Sequence, residues 1–349
     1  MSLAKNFAGK RVFVGIDVHK RTYAVCCMIE GEIVHKCTTK AEPGEFAAAL
    51  KSWFPDAEIF SVYEAGFSGF VLHRKLEAVG IRNILVNPAS VERASNDKVK
   101  TDKLDSKKLA KQLSIGNLRA IYVPTEEEDL LRQLNRTRFQ LVEDRVAVGN
   151  RIKSKLTMFG FFSFEDDQKM SNLFLKKVEK MVLPSVLRIV IEILIEEWRN
   201  LQKQILKLER LMKKSNDEKK RQNELICSVP GVGVISANTL LTELGDMSRF
   251  SNEGKLFCFT GLTPSEYSSG EHIRRGHITR QGAPRLRRLL VEIAWRAIKK
   301  DPALHEVYSR ISGRRGAKIA IVAIARKLVG RMRACLQSGT EYQIYKKVA

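Results

Sequence analysis

Apolar residues fill nearly every position of Arg11-Val-Phe-Val-Gly-Ile-Asp-Val18, the pattern of a strand covered on both faces. Tyr23 to Ile29 repeats it, and Glu32 to Thr38 follows across a Glu30-Gly31 turn, so the chain opens with an antiparallel meander. The period then changes. Pro43 to Trp53 reads as a helix, Ile59 to Glu64 as a fourth strand, Gly69 to Val79 as a helix, and Ile84 to Val86 as a short strand stopped by Asn87-Pro88. Strands first, then helix and strand in alternation, predict a mixed α/β sheet.

After Val123-Pro124 the pattern becomes that of long charged helices, from Glu126 to Phe159 and from Pro184 to Lys214. In the second, Leu187, Ile191, Leu194, Trp198, Leu201, Ile205, Leu208 and Met212 recur at steps of four and three, the signature of a coiled-coil seam. The first is weaker, because Arg138 and Arg145 interrupt Leu131, Leu134, Leu141, Val148 and Ile152. Two such helices pack on each other or across subunits, and a homo-oligomer, dimer or tetramer, is the favoured expectation. Beyond a charged linker, Leu225 to Gly233 contains Val-Pro230-Gly-Val-Gly, either a helix-hairpin-helix turn that offers backbone N–H groups to phosphate or an ordinary helical corner. The expected division is 1–124, an α/β domain; 125–220, the coiled-coil region; and 221–349, a mainly α-helical domain.

Charge narrows the class of partner. With 61 Lys and Arg against 39 Asp and Glu the net charge is +22, which favours polyanions. An anionic membrane fits less well than nucleic acid, since the most apolar run, Val182 to Ile195, is broken by Arg188 and Glu192 and falls short of the ~18 residues a span needs. Met1 to Lys10 lacks the apolar centre of a signal peptide, so a cytoplasmic, nucleoid-associated protein is expected. Six scattered cysteines have no zinc-ligand spacing, and no phosphate-binding GxxxxGK[ST] loop occurs.

Against this basic background the acidic residues stand out. Asp17 lies near the end of an apolar strand and Glu64 at the end of the fourth strand. Lys100-Thr-Asp102-Lys-Leu-Asp105-Ser106 sets two carboxylates three apart at the head of a helix, on one face. Asp102 and Asp105 are also a plausible N-terminal capping pattern, and Asp17 an exposed or paired acid. If all four converge at element ends, as in a sheet of RNase H type, they repel one another unless a hard cation such as Mg2+ is held between them. One or two such ions would suit phosphodiester chemistry. A second stretch, Gly261-Leu-Thr-Pro-Ser-Glu-Tyr-Ser268-Ser269-Gly270, precedes six arginines, Arg274, Arg275, Arg280, Arg285, Arg287 and Arg288, a set suited to phosphate contacts. By composition alone its serines are turn residues.

Together, Gly-Ile-Asp17-Val-His-Lys20, Glu64-Ala-Gly66, Asn87-Pro88, Lys-Thr-Asp102-Lys-Leu-Asp105, Val-Pro230-Gly-Val-Gly233 and Gly261-Leu-Thr-Pro264 to Ser269-Gly270 resemble, in order and over nearly the whole chain, the DEDD transposases of the insertion sequence 110 family. The resemblance implies an RNase H-like (resolvase-like) N-terminal domain carrying Asp17, Glu64, Asp102 and Asp105 as an Mg2+-binding tetrad, then a coiled coil, then a transposase domain with a nucleophilic serine. Ser269 matches that serine, with Ser268 beside it. Implied partners are target and donor DNA and a guide RNA encoded by the element, in an assembly where the acidic site of one subunit meets the serine of another. Two other functions remain open on the residues: a metal-dependent, structure-selective nuclease with no covalent serine step, and a non-catalytic nucleic-acid scaffold.

Overall fold

The computed structural model describes residues 7–91, 102–163, 168–215, 220–266 and 275–344, without the side chains of residues 102, 103, 215 and 275. Two compact units divide the chain, Met1–Val123 and Pro124–Ala349.

In the first unit β1 (Arg11–Val18), β2 (Thr22–Ile29) and β3 (Glu32–Lys40) pair antiparallel in succession. β4 (Glu58–Glu64) joins β1 in parallel and β5 (Arg82–Val86) joins β4 in parallel, giving the order β3-β2-β1-β4-β5. The parallel additions need crossovers, supplied by α1 (Pro43–Trp53) and α2 (Val71–Ala78). Pro43 opens α1 with its φ already helical and no N–H to waste, and Glu45 sits in the first turn where the helix dipole favours an acid. Alternation sends Val12, Val14, Ile16, Ile59 and Tyr63 to one face of the sheet, where they form a core with Phe46, Leu50, Leu72 and Leu76 of α1 and α2. Truncating Leu50 or Leu76, both fully buried, to Ala would cost about 2–5 kcal/mol. On the other face α3 (Asp102–Ser114) packs against β1, β2, β4 and β5.

The second unit begins with α4 (Glu126–Met158), started by a capping box in which the Thr125 hydroxyl accepts from the Glu128 N–H and the Glu128 carboxylate accepts from the Thr125 N–H. After α5 (Asn172–Glu179), α6 (Ser185–Ser215) returns antiparallel along α4: Arg138 meets Glu209, Arg145 meets Gln202, and Arg151 lies 4.0 Å from Glu197. Every seam position expected on α6 is buried or half-buried, with Leu187, Ile191 and Trp198 packed in one core with Val148, Ile152 and Leu156 of α4. Of the two expected arrangements, pairing within one chain is therefore present. The arginines that break the α4 pattern are seated in it, Arg138 donating to Glu209 Oε1 at 2.8 and 2.6 Å and Arg145 lying over the Trp198 ring.

A helical bundle follows: α7 (Lys220–Cys227), α8 (Val234–Leu244), α9 (Glu253–Thr260), α10 (Pro284–Ala297), α11 (Pro302–Arg315) and α12 (Ala317–Ser338), sharing a core that includes Leu240, Leu256, Leu290, Leu304 and Leu328. A small antiparallel pair, β6 (Pro264–Glu266) and β7 (Arg275–Ile278), interrupts this mainly helical region and is not visible in its periodicity. Among the described residues no helix is long and apolar enough to cross a membrane.

Candidate acidic site and nucleic-acid interface

β1 and β4 lie in register, with Gly15 beside Val62 and Ile16 beside Tyr63, so Asp17 and Glu64 are neighbours at the carboxyl ends of two parallel strands. Both follow the parity of Gly15 and Val62 and share the face covered by α3. At Gly15 the helix rests directly on the strand: a Cβ there would lie 2.0 Å from the Ser106 carbonyl oxygen and 2.5 Å from the Ala110 nitrogen. A glycine inside a strand marks such an approach. Leu109 packs with Val62, Val86 and Val91, and Ala110 with Cys26 and Met28. Since Met28 pairs with Phe13, toward the start of β1, α3 runs with its first turn toward the carboxyl ends of the strands. Asp102 is the first residue of that helix, and Asp105 immediately precedes the fully buried Ser106.

Each of the three acids with a described side chain, Asp17, Glu64 and Asp105, is half-buried. His19 Nε2 lies 3.2 Å from Asp17 Oδ2, which places an imidazole on the acid row. That residue stands in the Asp-Val-His segment, two positions from Asp17, but no role for it was expected. Among the described residues no three His, Cys, Asp or Glu side chains are gathered closely enough to form a ready metal cage. The donor set itself, carboxylate oxygens only, has the chemistry that suits a hard divalent cation.

On the opposite face a polar chain holds the loop after Glu64. The Tyr63 hydroxyl donates to the Gly69 carbonyl at 3.3 Å and accepts from the His73 N–H at 3.1 Å. His73 Nδ1 is 2.8 Å from Asn83 Oδ1, whose amide nitrogen donates to Ser61 Oγ at 2.8 Å. Burial pushes the Tyr63 phenol up to about 12.

Ser268, Ser269 and Arg274 lie outside the described residues, between β6 and β7 in the chain, and Arg275 is described by its backbone alone. Arg280 is exposed at φ +55°. Its carbonyl accepts from Arg287 at 3.4 Å. Arg285 and Arg288 sit over the Phe139 ring, and Arg288 also reaches Glu143 at 2.8 Å and Glu292 at 3.2 Å. At the Pro-Gly-Val-Gly turn between α7 and α8, Gly231 has φ +87° and lies so close to α10 that a Cβ would meet the Ile293 carbonyl at 2.9 Å, whereas Gly233 at the head of α8 has open space around it.

Comparison with known proteins matches two family models. A transposase model named for its DEDD residues and for IS110 matches residues 14–161, and one described as the transposase IS116/IS110/IS902 family matches residues 223–309. The first range contains all four acids and the second the serine stretch. The chain is 29% identical to y4qE of Sinorhizobium fredii, which bears a transposase name, over 82% of this chain and 72% of that protein. It is 25% identical to the transposase for insertion sequence element IS1111A of Coxiella burnetii, over 90% and 86%. With the transposase for IS1533 of Leptospira borgpetersenii the identity is 26%, over 91% and 93%.

Proposed function

Because the chain belongs to the IS110 family of insertion-sequence transposases, we propose that it cuts and rejoins DNA at an acidic centre formed by Asp17, Glu64, Asp102 and Asp105, through a covalent bond to Ser269. The observation that carries the acidic half of this reading is the shared row: Asp17 and Glu64 on adjacent parallel strand ends, on the face over which α3 begins. The strand order β3-β2-β1-β4-β5 supports an RNase H-like, resolvase-like sheet, and the α4–α6 pairing supports a coiled-coil region. The division into 1–124, 125–220 and 221–349 belongs to the same proposal.

The four carboxylates would hold Mg2+, which when bound polarises the phosphate and offsets charge developing on it. The rest falls to this chain's own groups. Asp17 and Glu64 fix the acid row from the rigid sheet, while Asp102 and Asp105 arrive on the helix braced against Gly15. Ser269 Oγ would form a bond to phosphorus as its proton leaves and one P–O ester bond breaks, the released strand end taking up a proton. The new ester keeps the energy of the old one, so a hydroxyl of another strand end can reverse the step without nucleotide hydrolysis. Serine is a weak nucleophile at neutral pH and depends on such activation. Basic residues such as Arg280, Arg285 and Arg287 would neutralise phosphates without reading sequence, and a guide RNA encoded by the element would supply the sequence by pairing with target and donor DNA.

Ser269→Ala is expected to abolish protein–DNA adducts trapped by denaturation while leaving DNA binding intact. Free cleaved ends with Ser269→Ala as active as wild type would favour the nuclease reading instead. Asp17→Asn should lose cutting and also lose the Mg2+-dependent rise in melting temperature, a readout independent of activity.

A further inference from the structure

We propose that the outer half of the sheet face bearing Asp17 is a track for the phosphate backbone of the DNA strand that reaches the acidic row, with Lys36, Lys40 and Lys107 as its phosphate contacts. This rests on the proposed acidic centre. The strand register supplies the argument. Asp17 pairs with Ala24, and Ala24 with Thr38, so the three form one row across β1, β2 and β3 and face the same way. Lys36 and Lys40 stand two residues to either side of Thr38 on that face, about 13 Å apart along the strand and about 10 Å across from Asp17.

Among the described residues, α3 packs on this face against Gly15 of β1, Val62 of β4, Val86 of β5 and Cys26 and Met28 of β2, and no residue of β3 joins its apolar contacts. Lys36, Thr38 and Lys40 are all exposed, whereas His35, Cys37 and Thr39, which turn to the other face, are half-buried. Burial pushes the Cys26 thiol up, and Lys36 and Lys107 both pull against it, so two ammonium groups from different elements stand around one sulfur. Lys107 is exposed on α3 and so borders the same open strip. Between the exposed row of β3 and the acids lies only Ala24, which is buried and carries no more than a methyl group, with the exposed Thr38 beside it. A polyanionic strand can lie there with phosphates on the lysines and the next phosphate within reach of the acids, which alone would repel it.

Lysines on an edge strand also guard against edge-to-edge pairing, and that role predicts no effect on nucleic acid. The two are separated by binding of the full chain to a labelled single-stranded DNA oligonucleotide of mixed sequence across a salt series. For Lys36→Gln with Lys40→Gln, the slope of log affinity against log salt should fall by about 1.4, at about 0.7 per phosphate lost. Lys36→Arg with Lys40→Arg should keep the wild-type slope, as should Lys51→Gln with Lys75→Gln on the helices of the opposite face. An unchanged slope for the Gln pair, with or without new aggregation, overturns the track. Asp17→Asn keeps the two readings apart: it should bind DNA at least as tightly as wild type yet fail to cut. If it cuts normally, the acidic centre fails and the track fails with it as a path to that centre, whereas a changed Gln-pair slope would then mark only a DNA-binding strand edge.

Discussion

Replacing Gly15 with Ala tests how α3 is held over the acid row. The added Cβ would lie 2.0 Å from the Ser106 carbonyl oxygen and 2.5 Å from the Ala110 nitrogen, both backbone atoms with no rotamer to move, and real Cβ contacts essentially never fall below 3.0 Å. Relief requires α3 to lift by about 1 Å. Lifting loosens Leu109, Ala110 and Ser106, all buried against the sheet, and overpacking of this kind costs about 1–3 kcal/mol. At about 4–8 °C per kcal/mol for a small domain, the first unit should melt roughly 5–20 °C lower. The same displacement carries Asp105 and the start of α3 away from Asp17 and Glu64, and a misplacement of about 1 Å at a reacting centre costs on the order of 100-fold in rate. Gly44→Ala is the control, since nothing lies within 4 Å of its Cβ and its place at the start of α1 tolerates a side chain. Calorimetry and a strand-cutting assay on both variants read the two effects. A Gly15→Ala protein with wild-type melting and undiminished cutting would refute the helix-on-strand contact and the site built on it.

Glu243, buried in α8, takes both Nε and Nη2 of Arg136, at 2.9 and 3.0 Å. Because Arg136 keeps about a third of its side chain exposed, Glu243→Ala should destabilise the second unit by roughly 2 kcal/mol, below the full cost of a stranded buried charge, as measured by urea denaturation. In the α4–α6 pair, Glu209→Ala alone should destabilise by about 1–3 kcal/mol, whereas Arg138→Leu with Glu209→Leu should be neutral or stabilising by the same measurement. For Tyr63, whose folded value is about 12 against about 10 unfolded, the neutral phenol is favoured by folding. Its contribution is complete below pH 10 and is lost as pH rises to 12, so the alkaline slope of stability over that window should be shallower in Tyr63→Phe than in wild type.

The α/β order and the α6 seam were readable because their periods are local: alternation along a strand, and steps of three and four along a helix, require no knowledge of the partner. An acid inside an apolar strand was conspicuous for the same reason, which is how Asp17 and, by position, Glu64 could be singled out. What carried no local sign was the identity of the opposing element. The weak period of α4 gives no hint of what its first half packs on: its Arg132 donates to the Thr242 carbonyl at 3.1 Å and its Asn135 accepts from Thr239 at 3.0 Å, polar contacts with α8 that leave no mark on a hydrophobic period.

Arg138 and Arg145 make the same point from the other direction. Each occupies a place where the heptad asks for a leucine, and on α4 alone each is a defect. Glu209 and Gln202 lie on α6 some 60–70 residues on, and supply what the arginines need. Glu209 is indistinguishable in the sequence from the solvent-facing acids of the same helix, so the pairing could not be read in advance. Gly15 was readable in principle, since a glycine in a strand core announces a close neighbour, but which backbone fills the gap depends on a helix about ninety residues later. Site geometry therefore turns on long-range packing that residue type alone underdetermines. For this chain the decisive quantity is the height of α3 above β1, held down by the bare backbone of Gly15, because it sets the distance from Asp105 to Asp17 and hence whether the acids act together.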